Sequence, residues 1–176
     1  MRHVQDVALS AFIARGYEAV TVEEVAREAG VGVASIFRNF GSKERLVLWD
    51  EYDPLLFARL ARHLEHRAPL EALTVALDEA LGEIYERDRR RVLRRTDLVA
   101  KTPALVAASR AELAVLRGGL TAALTPAVRD PLRRELLAAV FTATLEVCVE
   151  RWRRERGKRP LGLLLRAAFR DVARLG

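Results

Sequence analysis

With 176 residues, 51 % of them hydrophobic, the chain has material for one domain or for a small domain joined to a larger one, and its composition is not that of a disordered polymer. A single cysteine, Cys148, excludes an internal disulfide and suits a reducing, cytoplasmic setting, and the longest apolar run, LLAAVFTATLEVCV at 136–149, is too short for a bilayer and contains Glu146. The formal net charge is +6, yet residues 1–50 hold six Lys/Arg against seven Asp/Glu, so the basic excess lies in 51–176 and does not by itself argue for nucleic-acid binding at the N-terminal end.

Ala, Leu, Arg and Glu dominate, and β-branched runs are rare, which predicts an all-α fold of about nine helices. Met1 leads into an amphipathic stretch and not a secretory leader. Val4, Val7, Ala8, Ala11 and Phe12 recur at helical spacing, widened by Leu9 and Ile13, and predict a helix over 3–15 that stops near Gly16. Thr21 reads as an N-cap, with Glu24 completing a capping box. The helix it starts, 22–29, carries Val22, Val25, Ala26 and Ala29 on one face and ends at Gly30, where a positive φ permits a sharp turn. A helix over 33–39 follows, with Val33, Ile36 and Phe40 on its inner side, and Gly41 ends it.

Ser42 caps the next helix, expected over 43–66 with a kink or break at Pro54. Asp53-Pro54, Thr102-Pro103, Thr125-Pro126 and Asp130-Pro131 each set a capping residue before a proline at a first helical position. The remaining helices are expected over 70–87, 90–100, 103–123, 131–156 and 161–174. Segment 136–149 is apolar nearly all round, and Leu161, Leu165, Ala168, Val172 and Leu175 form a stripe on the last helix. A helix apolar on more than one side has one face for its own core and one for something else. Two such helices suit an isologous four-helix contact between two copies of the chain.

Two short helices joined by a tight glycine turn and steadied by a preceding helix make a helix-turn-helix unit, whose second helix enters the major groove. With Val33, Ile36 and Phe40 inward, Ala34, Ser35, Phe37, Arg38 and Asn39 point to solvent or DNA. Arg38 and Asn39 suit guanine and adenine edges or phosphate, and Ala34 is short enough to approach a thymine methyl. Two amphipathic helices with a merely solvated polar face would show the same spacing.

The stretch VQDVALSAFIARGYEAVTVEEVAREAGVGVASIFRNFGSKERLV, residues 4–47, resembles the TetR family of transcriptional regulators. The resemblance implies a helix-turn-helix DNA-binding domain over 1–46 and a ligand-binding and dimerisation bundle over 47–176. It assigns DNA-facing roles to Thr21, Val33, Ala34, Ser35, Phe37, Arg38, Asn39 and Lys43. It further implies a homodimer built from helices 131–156 and 161–174, an inverted-repeat operator in double-stranded DNA, and release from it by a small, mostly apolar effector bound inside the bundle. Phe37 stands where the family usually has tyrosine, Gly32 replaces a frequent serine cap, and there is no basic arm before the first helix.

Phe57, Leu81, Tyr85, Phe141 and Leu145 are candidates to line the effector pocket, or plain core. His63 and His66 have metal-pair spacing but no third ligand nearby in sequence, so neither metal nor cofactor is implied. Hydrolase and nucleotide-binding motifs are absent, and no enzyme activity is expected. The run RDRRRVLRR at 87–95 attracts anions or is a solvated helix face. A helical adaptor with lost DNA binding is the alternative function, supported by the near-neutral first fifty residues and by Phe37.

Overall fold

The computed structural model describes residues 1–50 and 53–174, and the side chains among these other than 53 and 81–87. Among the described residues the chain is all-α, with ten helices and no strand: α1 (Arg2–Arg15), α2 (Val22–Ala29), α3 (Val33–Phe40), α4 (Lys43–Leu48), α5 (Asp53–Leu64), α6 (Pro69–Arg87), α7 (Arg89–Lys101), α8 (Pro103–Ala123), α9 (Pro131–Arg154) and α10 (Leu161–Ala173). None of them is long and apolar enough to cross a membrane. The chain divides into two units, Met1–Glu51 with Arg94–Ala111, and Tyr52–Leu93 with Glu112–Gly176.

In the first unit α1 buries Ala8, Leu9, Ala11 and Phe12 and packs against α2 and α4. Ile13 stays exposed, so the inward stripe is narrower than its spacing predicts. Gly16 ends α1 at φ 95 and ψ 140, a backbone state that a side chain resists. Thr21 makes the expected capping box: its hydroxyl accepts from the Glu24 N–H at 3.2 Å and its own N–H donates to the Glu24 carboxylate at 2.8 Å. Gly30 closes α2 in the left-handed region at φ 68, which aims α3 away from α2. Ile36 and Phe40 bury the inner face of α3, and Leu46 and Val47 that of α4. Leu105 of α8 is fully buried in the same core, and Leu98 and Val99 of α7 pack against it.

The helix expected over 43–66 with a kink or break at Pro54 is two helices. The break falls at Trp49, which leaves α4 with φ −52 and ψ 125, ahead of Pro54. Pro54 instead occupies the first turn of α5, where a missing N–H leaves no helical bond unmade. The break is held from outside. The Trp49 carbonyl accepts from the Gln5 carboxamide at 2.8 Å and from the Arg95 guanidinium at 3.1 Å, and Arg95 also donates to Asp50 at 2.8 Å.

In the second unit α5 packs on α6, α6 on α10 and α10 on α9. The core holds Leu60, Leu73, Leu77, Phe141, Trp152 and Phe169, with the Phe141 and Phe169 rings stacked at 5.2 Å. Asp130 caps α9 by accepting from the Leu132 N–H at 3.1 Å, with Pro131 at the first position. The expected stripe on α10 splits: Leu161 and Leu165 are buried, Ala168 and Val172 half-buried, and Leu175 lies outside the described residues.

Candidate nucleic-acid interface

α3 is the outward helix of its unit. Its inner face is consumed by Ile36 and Phe40, which leaves Ala34, Phe37, Arg38 and Asn39 exposed, Phe37 at 47 %. Ser35 and Val33 are half-buried, and Val33 packs against the core as its spacing predicts. The exposed polar groups are tied together. The Asn39 amide donates to the Ser35 carbonyl at 2.8 Å, and the Arg38 guanidinium stands 3.4 Å from the Ser35 hydroxyl. With its nitrogen turned inward, Asn39 offers its oxygen as an acceptor. Arg38 keeps four further N–H groups for a base edge or a phosphate.

Thr21 and Lys43 flank this face from the starts of α2 and α4. Thr21 is exposed, and its capping hydroxyl retains a hydrogen to donate. The same capping pattern holds the Glu24 carboxyl below its usual range, chiefly through the bond from the Thr21 backbone. Lys43 is half-buried: its ammonium lies 4.3 Å from the centroid of the Tyr17 ring and 5.6 Å from that of Phe12. The start of α4 is thereby fixed to the loop before α2, which no local pattern announced. Gln5 was missed as well. Its signal was a lone amide among the apolar positions of α1, and it is fully buried, donating to the carbonyls of Val47 and Trp49.

Among the described residues the core of the second unit takes in several of the pocket candidates. Phe141 is fully buried, and Phe57 and Leu145 pack partly buried against the same core; Leu81 and Tyr85 lie outside the described residues. The Phe57 ring sits so close over Gly119 that a Cβ there would meet its Cζ at 2.9 Å. A recess of about 10 Å³, barely room for one water, is walled by Thr74, Leu77, Asp78, Gly162, Leu165, Arg166 and Phe169.

A helix-turn-helix unit with an outward second helix, followed by a separate all-helical bundle, is the architecture of a DNA-binding transcriptional regulator. Residues 5–48 match the profile of bacterial regulatory proteins of the tetR family, and residues 67–175 match the MftR C-terminal domain. The chain belongs to the TetR family of transcriptional regulators. Its relatives include the regulator TcmR of Streptomyces glaucescens, 29 % identical over 156 residues, covering 82 % of this chain and 69 % of that protein. MftR of Mycobacterium tuberculosis is 32 % identical over 110 residues, which cover 61 % of this chain and 54 % of that protein, so the match spans about half of the latter's length. Among solved structures, Thermus thermophilus FadR in complex with lauroyl-CoA shares the fold at 23 % identity and TM-score 0.60, covering 96 % of this chain and 91 % of that one. The SmeT–triclosan complex does so at 18 % identity and TM-score 0.62, covering 97 % and 90 %.

Proposed function

We propose that the chain is a dimeric repressor that holds an inverted-repeat operator through α3 and leaves it when a small, mostly apolar molecule enters the second unit. Residues 1–46 are the DNA-binding part and 47–176 the effector and dimerisation part. The observation that carries this reading is the outward face of α3, where Ala34, Phe37, Arg38 and Asn39 are exposed together on a helix whose other side is core. Thr21, Ser35 and Lys43 add contacts at its edges, and Val33 sets its depth. Phe37 contributes an apolar edge suited to a thymine methyl.

The dimer reading rests on α9. Leu132, Leu136, Val140 and Val147 fall within one arc of that helix and are all exposed, as is Leu163 of α10. An open apolar stripe of this length is the surface a second copy covers. The effector reading is supported by the lauroyl-CoA and the triclosan in the FadR and SmeT complexes. Phe57, Phe141 and Leu145 are the candidates to line the effector site whose side chains pack in or against the core of the second unit.

A gel shift with the promoter region beside the chain's own gene tests the reading. A retarded band, competed by unlabelled promoter and weakened by an apolar effector, is the expected result. No band at any salt concentration would favour a helical adaptor of this fold that has lost DNA binding.

A further inference from the structure

Two basic runs far apart in sequence meet in the second unit. The Arg89 guanidinium donates to the Arg156 carbonyl at 3.3 Å, and a Cβ on Gly157 would meet the Arg89 Nε at 2.9 Å. Arg156 and Gly157 both have left-handed backbones, at φ 55 and φ 62, and this turn after α9 lies against Arg89 in the first turn of α7. Residues 88–91 and 150–159 together hold nine Lys/Arg and three Asp/Glu, an excess of six. That equals the net charge of the whole chain, so the other residues balance to zero.

The pairs of Glu150 and Glu155 engage Arg151, Arg153 and Arg154, and five further cations of the patch are exposed. Glu150 accepts from both Arg153 and Arg154 at 2.7 Å, Glu155 accepts from Arg151 at 2.9 Å, and Asp88 is buried. Arg89, Arg90, Arg156, Lys158 and Arg159 are exposed. Cations in the last turn of α9 are explained by the negative end of that helix. Arg89 and Arg90 are exposed and sit at the opposite, positive end of a helix. They crowd the first turn of α7, which has no acidic residue and whose positive end disfavours them.

We propose that this patch is a second DNA-binding surface, which grips the phosphates of double-stranded DNA without reading sequence. Eight of its nine cations are arginines, whose planar forks match phosphate oxygens. Trp152, the only aromatic residue of the two segments, is buried, so nothing is offered for stacking unpaired bases. The apolar residues of the two segments present nothing for insertion into a bilayer. The proposal goes beyond the role of α3. It accounts for a family member whose first fifty residues carry a net charge of −1.

The test is fluorescence anisotropy of the full chain on a labelled random-sequence duplex, between about 50 and 200 mM salt. Each phosphate that a protein neutralises adds ~0.9 to the slope of log affinity against log salt. Replacing Arg90→Ser, Lys158→Ser and Arg159→Ser together should therefore lower that slope by about 2–3. The charge-keeping set Arg90→Lys and Arg159→Lys should retain the wild-type slope, which separates loss of charge from loss of fold. A neutralised, folded chain with the wild-type slope overturns the proposal. So does tighter capture by phosphatidylglycerol vesicles than by the duplex. Because the probe lacks an operator, failure of α3 to select a sequence would leave this result untouched, and the two readings fall separately.

Discussion

The Lys43 ammonium stands over the Tyr17 ring at 4.3 Å, while the Tyr17 hydroxyl donates to the Glu44 carboxylate at 3.0 Å. Burial, and then the bond to Glu44, push the Tyr17 phenol far up. Glu44 is held below the usual carboxylate range by its own backbone first, then by Ser42 and Tyr17. The first residues of α4 are therefore anchored to the loop after α1, and Lys43 serves that anchor beside its proposed place on the DNA face. Lys43→Ala should weaken operator and random duplex alike and lower the salt slope by about one. It should also cost about 0.5–1 kcal/mol of stability in urea unfolding, the worth of an exposed cation–π contact. Unchanged stability would show the ring contact to be idle.

Gln5 ties α1 to the end of α4 from a fully buried position. Gln5→Leu removes the donor to the Val47 and Trp49 carbonyls; Arg95 still serves Trp49, and Val47 loses this bond. The expected cost is about 1–3 kcal/mol in urea unfolding, from a buried carbonyl left short of a partner. A loss within experimental error would mean that water takes the place of the amide.

Arg153, then Arg154, hold the Glu150 carboxyl at about 2, below its ordinary 4.5. A depressed carboxylate contributes stability above its unfolded value, and the contribution is lost as pH falls through the folded one. Glu150→Gln should therefore be less stable than wild type at neutral pH, and the difference should fade between about pH 4.5 and 2. Paired urea titrations across that window check it, and a difference independent of pH would contradict it. The same variant uncovers two arginines and should bind random duplex more tightly.

Leu136 and Val147 are 55 % and 67 % exposed on the open face of α9. Leu136→Glu with Val147→Glu places charge where the proposed partner subunit packs. Analytical ultracentrifugation at micromolar concentration should show a dimer for the wild-type chain and a folded monomer for the double variant. A wild-type monomer would end the dimer assignment.

What could be read from the sequence was local. Thr21, Ser42 and Asp130 cap the helices they were expected to cap, because a capping side chain answers to N–H groups two or three residues away. The face of α3 followed from the spacing of Ile36 and Phe40. The break at Trp49 did not follow, since it is held by Gln5 and Arg95, residues 44 and 46 positions away. For the same reason nothing near Leu98, Val99 or Leu105 announced that they share a core with α1 and α2. The run at 87–95 was visible as charge, and its meeting with 156–157 was not, because a left-handed turn at Arg156 and Gly157 makes the junction.

We propose that α3 reads DNA as half of a two-fold pair. Hydroxyl-radical footprinting on the chain's own promoter, with Arg38→Ala alongside, tests it most directly. Two protected half-sites about 34–36 Å apart, related by an inverted repeat, are expected for the wild-type chain. Arg38→Ala should lose about 1–3 kcal/mol on that site and little on random duplex, as removal of a base contact requires. A single half-site protected by a monomer, or protection that Arg38→Ala leaves unchanged in sequence preference, would contradict the account.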